Sequence, residues 1–445
     1  MPRSRRLATK GIWHMTYQCD RKTRTQLRDL LYQRMSPQQI AGDFAKNRGA
    51  ARKQVQAHLH QILVQGLVPQ IPTHRFFEAI EDTIQALLGF GPIDDLLSEE
   101  QVTEIMVNGP SQIFYEREGR IFPSDRKFAD EAALRGVIDR IISPLGRRID
   151  EQTPIVNARL VEGHRVHAII PPLSLEGPTL TIRKFRSKIY TLAELVDLNS
   201  FPGWLLQLLR WAVLLRLNIA VTGGTGSGKT TLLNALSLEI GHGERIITIE
   251  DSAELKFHAH PHVVRLEARA PNIEGQGEIS IRDLVITSLR MRPDRIVVGE
   301  VRGGEALEML QAMNTGHDGS LTTVHANSPF ELIPRLITMV GYGSAMATDQ
   351  VTAQIGAALD LVVHQSRFSD GSRKVSSVCE VTQDKSAGCN LTEVMRFSQT
   401  GLSKTGQVEG ESVVCSRPTF LDALVVQGIA TEEEVRRWEL LTSCS

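Results

Sequence analysis

Asn218-Ile219-Ala220-Val221-Thr222-Gly223-Gly224-Thr225-Gly226-Ser227-Gly228-Lys229-Thr230-Thr231-Leu232-Leu233-Asn234-Ala235-Leu236 decides the architecture. Residues 218–222 read as a buried strand, and residues 231–236 as the start of a helix. Between them stands G-x-x-x-x-G-K-T, in the strand–loop–helix setting that this motif requires. Its glycines let the backbone wrap an anion with no side chain in the way. Loop N–H groups and the helix N-terminus present positive potential to a phosphate. Lys229 can reach β- and γ-phosphates, and the Thr230 hydroxyl can ligate Mg²⁺. The expected nucleotide cradle is therefore Gly223, Gly224, Thr225, Gly226, Ser227, Gly228, Lys229, Thr230 and Thr231, and the expected ligand is Mg·ATP.

Downstream, two apolar runs end in acids. Arg245–Ile249 leads to Glu250-Asp251, with Glu254 close behind, and Asp294–Val298 leads to Gly299-Glu300. Ligands of parallel sheets sit at the carboxyl ends of strands, so both acids should face the phosphates. One such acid alone would read as a helix-cap carboxylate; two beside a phosphate loop point to hydrolysis. A third element, Thr315–Asn327, runs a glycine loop into a strand with His317 before it and His325 at its end. The two histidines lie too far apart for an i, i+4 metal pair and no third ligand accompanies them, so the reading is a polar γ-phosphate sensor and not zinc.

The apolar runs Ile219–Val221, Ile246–Ile249, Arg295–Val298 and Leu321–Val324 alternate with helical segments. That alternation predicts an α/β unit with a parallel sheet and helices on both faces, over residues 203–375. Residues 71–186 read as a second, smaller α/β domain: a helix over Phe76–Leu88, strands over Thr103–Asn108, Ile113–Glu116 and Arg120–Phe122, a helix over Ala132–Ile142, and strands over Arg159–Ile170 and Leu180–Phe185. Residues 1–70 read as a helical extension, whose charges fit a contact with acidic lipid or a partner, or a solvated helix face. Residues 187–202 read as a linker and 376–445 as a less patterned extension, with strands over Lys374–Val381 and Val408–Val414 and a helix over Glu432–Leu441.

Composition excludes several classes. A net charge of −1 gives no reason to expect nucleic-acid binding. Cys19, Cys379, Cys389, Cys415 and Cys444 form no C-x-x-C pair, so neither a zinc module nor a disulfide framework is expected, and a reducing cytosol is the simplest compartment. The basic N-terminus lacks an apolar signal core, and the greasiest run, Trp204–Val221, is broken by Gln207, Arg210, Arg216 and Asn218. Membrane contact is expected to be peripheral only.

The phosphate loop, the acid-ended Thr248-Ile-Glu-Asp251, Arg290–Gly303 (RMRPDRIVVGEVRG) and Thr315–Pro329 (TGHDGSLTTVHANSP) occur in that order. Together they resemble the secretion and pilus ATPases of type II secretion, type IV pili and type IV secretion, from about Leu87 to about Phe420. Leu88–Pro92, Val102–Pro110, Val166–Thr181 and His364–Lys374 are similar to the CpaF-type branch of Flp (tight-adherence) pilus systems. The resemblance implies a RecA-like ATPase domain preceded by a PAS-like domain, and a homohexamer at the cytoplasmic side of the inner membrane. Its partners would be polytopic platform proteins and, through them, pilin or a secreted substrate. Glu250 would be the general base, supported by Asp251 and Glu254, and Glu300 would hold Mg²⁺ through water; which acid is the base stays open. His317 and His325 would sense the γ-phosphate. Arg165 and Arg183, with Arg159 less strongly, would meet the nucleotide on domain closure, and Arg290 and Arg292 would act from a neighbouring subunit. Three other readings stand beside this one: a type IV secretion motor for conjugation or effector export, an ATP-gated scaffold with little turnover, and a DNA translocase, which the net charge disfavours.

Overall fold

The computed structural model describes residues 21–443, apart from 37–38, 41–42, 44–47, 118, 144–146, 161, 186–188, 258–259, 270, 272–275 and 385–387. The basic start, Cys19 and Cys444 lie outside the described residues. Two compact units divide the chain, Met1–Arg186 and Ser187–Ser445.

In the first unit, α1 (Arg21–Tyr32), α2 (Arg48–Val64) and α3 (Phe76–Leu88) bury one small core, with Leu27, Leu31, Val55, Leu59, Ile62 and Ile84 at its centre. Heptad-like apolar spacing on each helix supplies that face. After α4 (Asp94–Ser98) come β1 (Val102–Asn108), β2 (Gln112–Arg117), β3 (Arg120–Pro123), α5 (Glu131–Ile142), β4 (Ile155–Arg159), β5 (Arg165–Ile169) and β6 (Thr179–Arg183). The strands make one antiparallel sheet in the order β3-β2-β1-β6-β5-β4. Alternation puts Ile105, Val166, Ala168, Leu180 and Ile182 in a core shared with Leu134 and Ile138 of α5. The Asp130 carboxylate caps α5, accepting from the Ala133 N–H at 2.7 Å.

One expectation fails here. Arg159–Ile170 is not a single strand but the turn and second arm of a hairpin, β4 being the arm that the sequence did not show. The Leu160 N–H donates to the His164 carbonyl at 2.9 Å, and the Gly163 N–H to that of Leu160 at 2.8 Å. Apolar alternation resumes in phase after this turn, so periodicity alone hides it.

The second unit opens with α6 (Leu192–Asp197), started by a reciprocal Thr191–Glu194 capping box. Then follow α7 (Gly203–Leu214), β7 (Ile219–Gly223), α8 (Lys229–Ser237), β8 (Ile246–Glu250), β9 (Val263–Glu267), α9 (Ile281–Ser288), β10 (Arg295–Val301), α10 (Glu305–Asn314), β11 (Leu321–His325), α11 (Leu332–Gly341) and α12 (Thr348–Ala358). The chain ends with β12 (Leu361–Arg367), β13 (Arg373–Asp384), β14 (Gly388–Leu402), β15 (Val408–Val414), α13 (Leu421–Val426) and α14 (Glu432–Ser443). Nine strands form one sheet, β15-β14-β13-β12-β7-β11-β10-β8-β9. From β12 to β9 every pair is parallel, and β13 to β15 extend it as an antiparallel meander.

Both faces of the parallel part are covered, which is why its strands read as unbroken apolar runs. Ile219 and Val221 face α7, α8, α13 and α14, while Ala220, Ile249 and Val298 face α9 to α12. The last helix is tied back by Trp438, whose indole N–H donates to the Trp204 carbonyl at 2.9 Å and whose ring meets the Trp204 ring edge-on at 6.1 Å. Truncating such a buried aromatic costs about 3–5 kcal/mol. The region expected to be least patterned therefore holds the two longest described strands, β13 and β14, and position 376 falls inside β13. Polar residues on the solvent side of these strands mask their alternation.

Candidate active site

Parallel pairing fixes which residues meet at the carboxyl edge of the sheet. Register places His325 beside Gly223, and His364 beside Thr222. Glu300 lies near the end of β10, next to β11, and Glu250 ends β8, next to β10. Five adjacent strands, β12, β7, β11, β10 and β8, thus carry His364-Gln365, Gly223, His325, Glu300 and Glu250 at or near this edge. This is the crevice position where ligands of open parallel sheets bind.

The loop from Gly223 to Gly228 is shaped by close approach. A Cβ on Gly223 would stand 2.2 Å from the Gln365 carbonyl oxygen, so no other residue fits. Gly228 caps α8 with φ of 100°, a conformation that suits glycine. Lys229 is buried, its ammonium donating to the carbonyls of Gly223 and Gly224 at 3.0 Å each. Thr230 follows in the first turn of α8. A cradle of backbone amides, a lysine and a hydroxyl at a helix start fits a nucleotide polyphosphate with its cation.

The acids differ in setting. The Glu250 Oε1 accepts from the N–H groups of Glu254 at 2.7 Å and Leu255 at 2.8 Å, while its Oε2 is buried with no hydrogen-bond partner among the described residues. Burial pushes its pKa up, and the two N–H bonds pull the other way. A carboxylate raised towards neutrality, with one oxygen unspent, has the properties a general base needs. Glu300 is instead held by Arg302, which donates at 2.9 and 2.5 Å and stands 3.8 Å from Asp251. Asp251 is mostly exposed, and Glu254 serves Glu250 through its backbone.

The histidines separate. Desolvation, then the charge of Lys229, lowers the pKa of His325 and favours its neutral ring. His317 lies before the start of β11, its Nδ1 paired with the Ala312 carbonyl at 3.2 Å. Four strand steps of about 3.3 Å, some 13 Å in all, separate His325 from Leu321 at the other end of β11, and His317 lies in the loop before Leu321. The structure does not bring His317 to the phosphate loop of its own chain. The glycine loop around it serves a buried anchor: Arg295 pairs with both oxygens of Glu244 at 2.8 and 2.9 Å and donates to the Val213 carbonyl at 2.9 Å. Arg290 and Arg292 are exposed before β10, at the end of the sheet away from Glu300. In the first unit, Arg159, Arg165, Arg183 and Glu104 are direct neighbours across four strands, on the face away from the core.

Sequence reading missed His364, Gln365, Arg367, Arg373 and Arg302 as site residues. The His364 Nδ1 meets the Thr222 Oγ1 at 2.8 Å, and desolvation brings its pKa down to about 4, so the ring is neutral. A signal was present: Leu361–Val363 is an apolar run ending in His-Gln, as β8 and β10 end in acids.

This fold and site define a P-loop ATPase. The chain belongs to the family described as "Type II/IV secretion system protein", which matches residues 86–414. It is 39% identical over 303 residues to "Putative conjugal transfer protein Rv3659c" of Mycobacterium tuberculosis, covering 67% of this chain and 86% of the relative. It is 34% identical over 289 residues to "Conjugal transfer protein TrbB" of Rhizobium radiobacter, covering 64% and 85%. Among solved structures it is similar to the VirB11 ATPase of the Brucella suis type IV secretion system, at 29% identity and a TM-score of 0.36, covering 65% of this chain and 95% of that one. Among the described residues no helix is long and apolar enough to cross a membrane.

Proposed function

We propose that this chain is a Mg·ATP-hydrolysing motor that works as a homohexamer at the cytoplasmic face of the inner membrane, driving a polytopic platform of an Flp-type pilus or a related secretion machine. The observation that carries the reading is the convergence of the phosphate loop, Glu250, Glu300 and His325 on adjacent ends of one parallel sheet. Glu250 takes the proton of the attacking water, with Asp251 and Glu254 supporting it. Glu300 and Thr230 are the residues that would hold Mg²⁺, which when bound neutralises charge on the transferred phosphoryl group. His325 reads the γ-phosphate position. Arg165 and Arg183 supply transition-state charge, as an arginine finger worth about 10³–10⁵ in rate can; Arg290 and Arg292 do so between subunits. The ATPase domain is RecA-like, its partner domain PAS-like.

A second reading is a type IV secretion motor for conjugation or effector export. The names of the relatives, two of them conjugal transfer proteins, favour it. Both readings share the chemistry and differ in cargo.

The test is steady-state ATPase activity and particle mass of the purified protein beside Lys229→Ala and Glu300→Gln. The reading expects a six-fold particle with turnover, loss of nucleotide binding in Lys229→Ala, and ATP binding without hydrolysis in Glu300→Gln. Tight Mg·ATP binding with no turnover, even with membranes present, would sink it. Loss of surface pili rather than of DNA or effector transfer on gene deletion then separates the two cargoes.

A further inference from the structure

Beyond the residues given roles above, the turn between β12 and β13 packs directly on the phosphate loop. Arg373, the first residue of β13, donates through Nε to the Gly226 carbonyl at 2.9 Å. Its Cδ lies 3.2 Å from where a Cβ on Gly228 would stand, and the Gln365 amide nitrogen lies at the same 3.2 Å. An Arg367 guanidinium nitrogen is 3.4 Å from a Cβ placed on Gly226. The loop is therefore flanked by His325 of β11 on one side and by this hairpin on the other.

The hairpin is built to hold still. The register shifts between His364 and Gln365, a bulge of the kind that re-aims side chains beside active sites. The Asp370 carboxylate accepts from the Ser372 N–H at 2.9 Å and, through its other oxygen, from the Val408 N–H at 2.7 Å, tying the turn to the start of β15. Phe368 stacks edge-on against Phe397 of β14 at 5.4 Å. Two buried polar atoms where the loop meets this wall, Ser227 Oγ of the loop and Gln365 Oε1 of β12, have no hydrogen-bond partner among the described residues. Buried polar atoms normally find one, so their convergence beside a phosphate loop points to a ligand.

We propose that this hairpin is the second wall of the nucleotide site. Arg373 is a positioning residue, fixing the loop backbone through Gly226, and Arg367 adds a cation beside the polyphosphate. The hairpin thereby sets affinity for the nucleotide diphosphate moiety, while Glu250 and Glu300 set the rate. The inference rests on the ATPase reading and deepens it.

The test compares Arg373→Ala, Arg373→Lys and Arg367→Ala with wild type, using a fluorescent ADP analogue for affinity, steady-state ATPase for kcat and KM, and thermal unfolding without nucleotide. Losing one hydrogen bond to a charged group is expected to weaken ADP binding and raise KM for ATP by about ten- to a hundred-fold in Arg373→Ala. It should leave kcat within about three-fold, since the chemistry lies elsewhere. Arg373→Lys should recover part of the affinity. Arg367 is exposed, so Arg367→Ala should fold as wild type and still lose ADP affinity. Wild-type ADP affinity in both alanine variants would overturn the proposal. So would loss confined to Arg373→Ala and matched by a fall in its nucleotide-free midpoint, because the hairpin would then be scaffold only. A wild-type chain that binds no ADP would instead overturn the phosphate-loop reading itself, and this proposal with it.

Discussion

Gly299 lies against Glu250: a Cβ on Gly299 would stand 3.0 Å from the Glu250 Cγ and 3.5 Å from its Oε1. The bare backbone of β10 is what lets the Glu250 side chain lie across the sheet edge and receive the Glu254 and Leu255 N–H groups. A glycine before the acid near the end of one strand thus shapes the acid of the next.

Gly299→Ala tests this. The added methyl makes the Glu250 side chain give by a few tenths of an ångström, and a misplacement of about 1 Å would cost about 100-fold, so a smaller shift should still be read in the rate. Steady-state kinetics should show kcat down ten-fold or more, with ADP affinity within about three-fold of wild type. Unchanged kcat would mean that the position of Glu250 does not matter to the rate.

The two ends of β11 should behave differently. His325→Ala should lower kcat in the purified protein, because His325 adjoins Gly223. His317→Ala should leave ADP affinity within about two-fold, because His317 precedes the opposite end of β11. Equal loss of ADP affinity in both variants at high dilution would contradict the placement.

Gly319→Ala should damage stability rather than chemistry. A Cβ there would meet the Arg295 Nη1 at 2.4 Å and its Cζ at 2.8 Å, and Arg295 is fully buried against Glu244. Overpacking a methyl against a buried side chain costs about 1–3 kcal/mol. Thermal unfolding should show a midpoint lower by several degrees, while the folded fraction keeps its ADP affinity.

A buried histidine and a half-buried aspartate oppose each other in pH dependence. Desolvation lowers the His364 pKa from 6.5 to about 4, so the folded state binds fewer protons there and stability is lost as pH falls from 6.5 towards 4. Desolvation raises the Asp360 pKa from 3.8 to about 6, so the folded state binds more protons and stability is gained over nearly the same window. Each contributes about 3 kcal/mol at most, at about 1.4 kcal/mol for every pH unit between the folded and unfolded values. Asp360→Asn keeps an acceptor for the Asn218 N–H, bonded at 2.7 Å, and removes one titration. Urea midpoints should then fall more steeply between pH 6.5 and 4 than in wild type; an unchanged slope would sink the assignment.

Much of the site was legible because its chemistry is local in the chain. A glycine-rich loop before a helix, or an acid after an apolar run, states its own role within ten residues, and the parallel sheet follows from strands spaced by helices. Gln365, Arg367 and Arg373 carry no such local signature. They reach the loop only because β12 pairs with β7 across 142 residues, as the Thr222–His364 contact shows. Gly319 likewise reads as loop chemistry and is in fact a packing necessity under Arg295.

The sequence by itself determined the phosphate loop, its lysine and threonine, and the two acid-ended strands, since backbone torsions and strand direction fix these locally. Only the tertiary structure decided that His325 joins the loop while His317 does not, that Gly299 makes room for Glu250, and that the β12–β13 hairpin, more than 130 residues downstream, packs on the loop. Those relations depend on strand order and register, which long-range packing sets and no short stretch of sequence records.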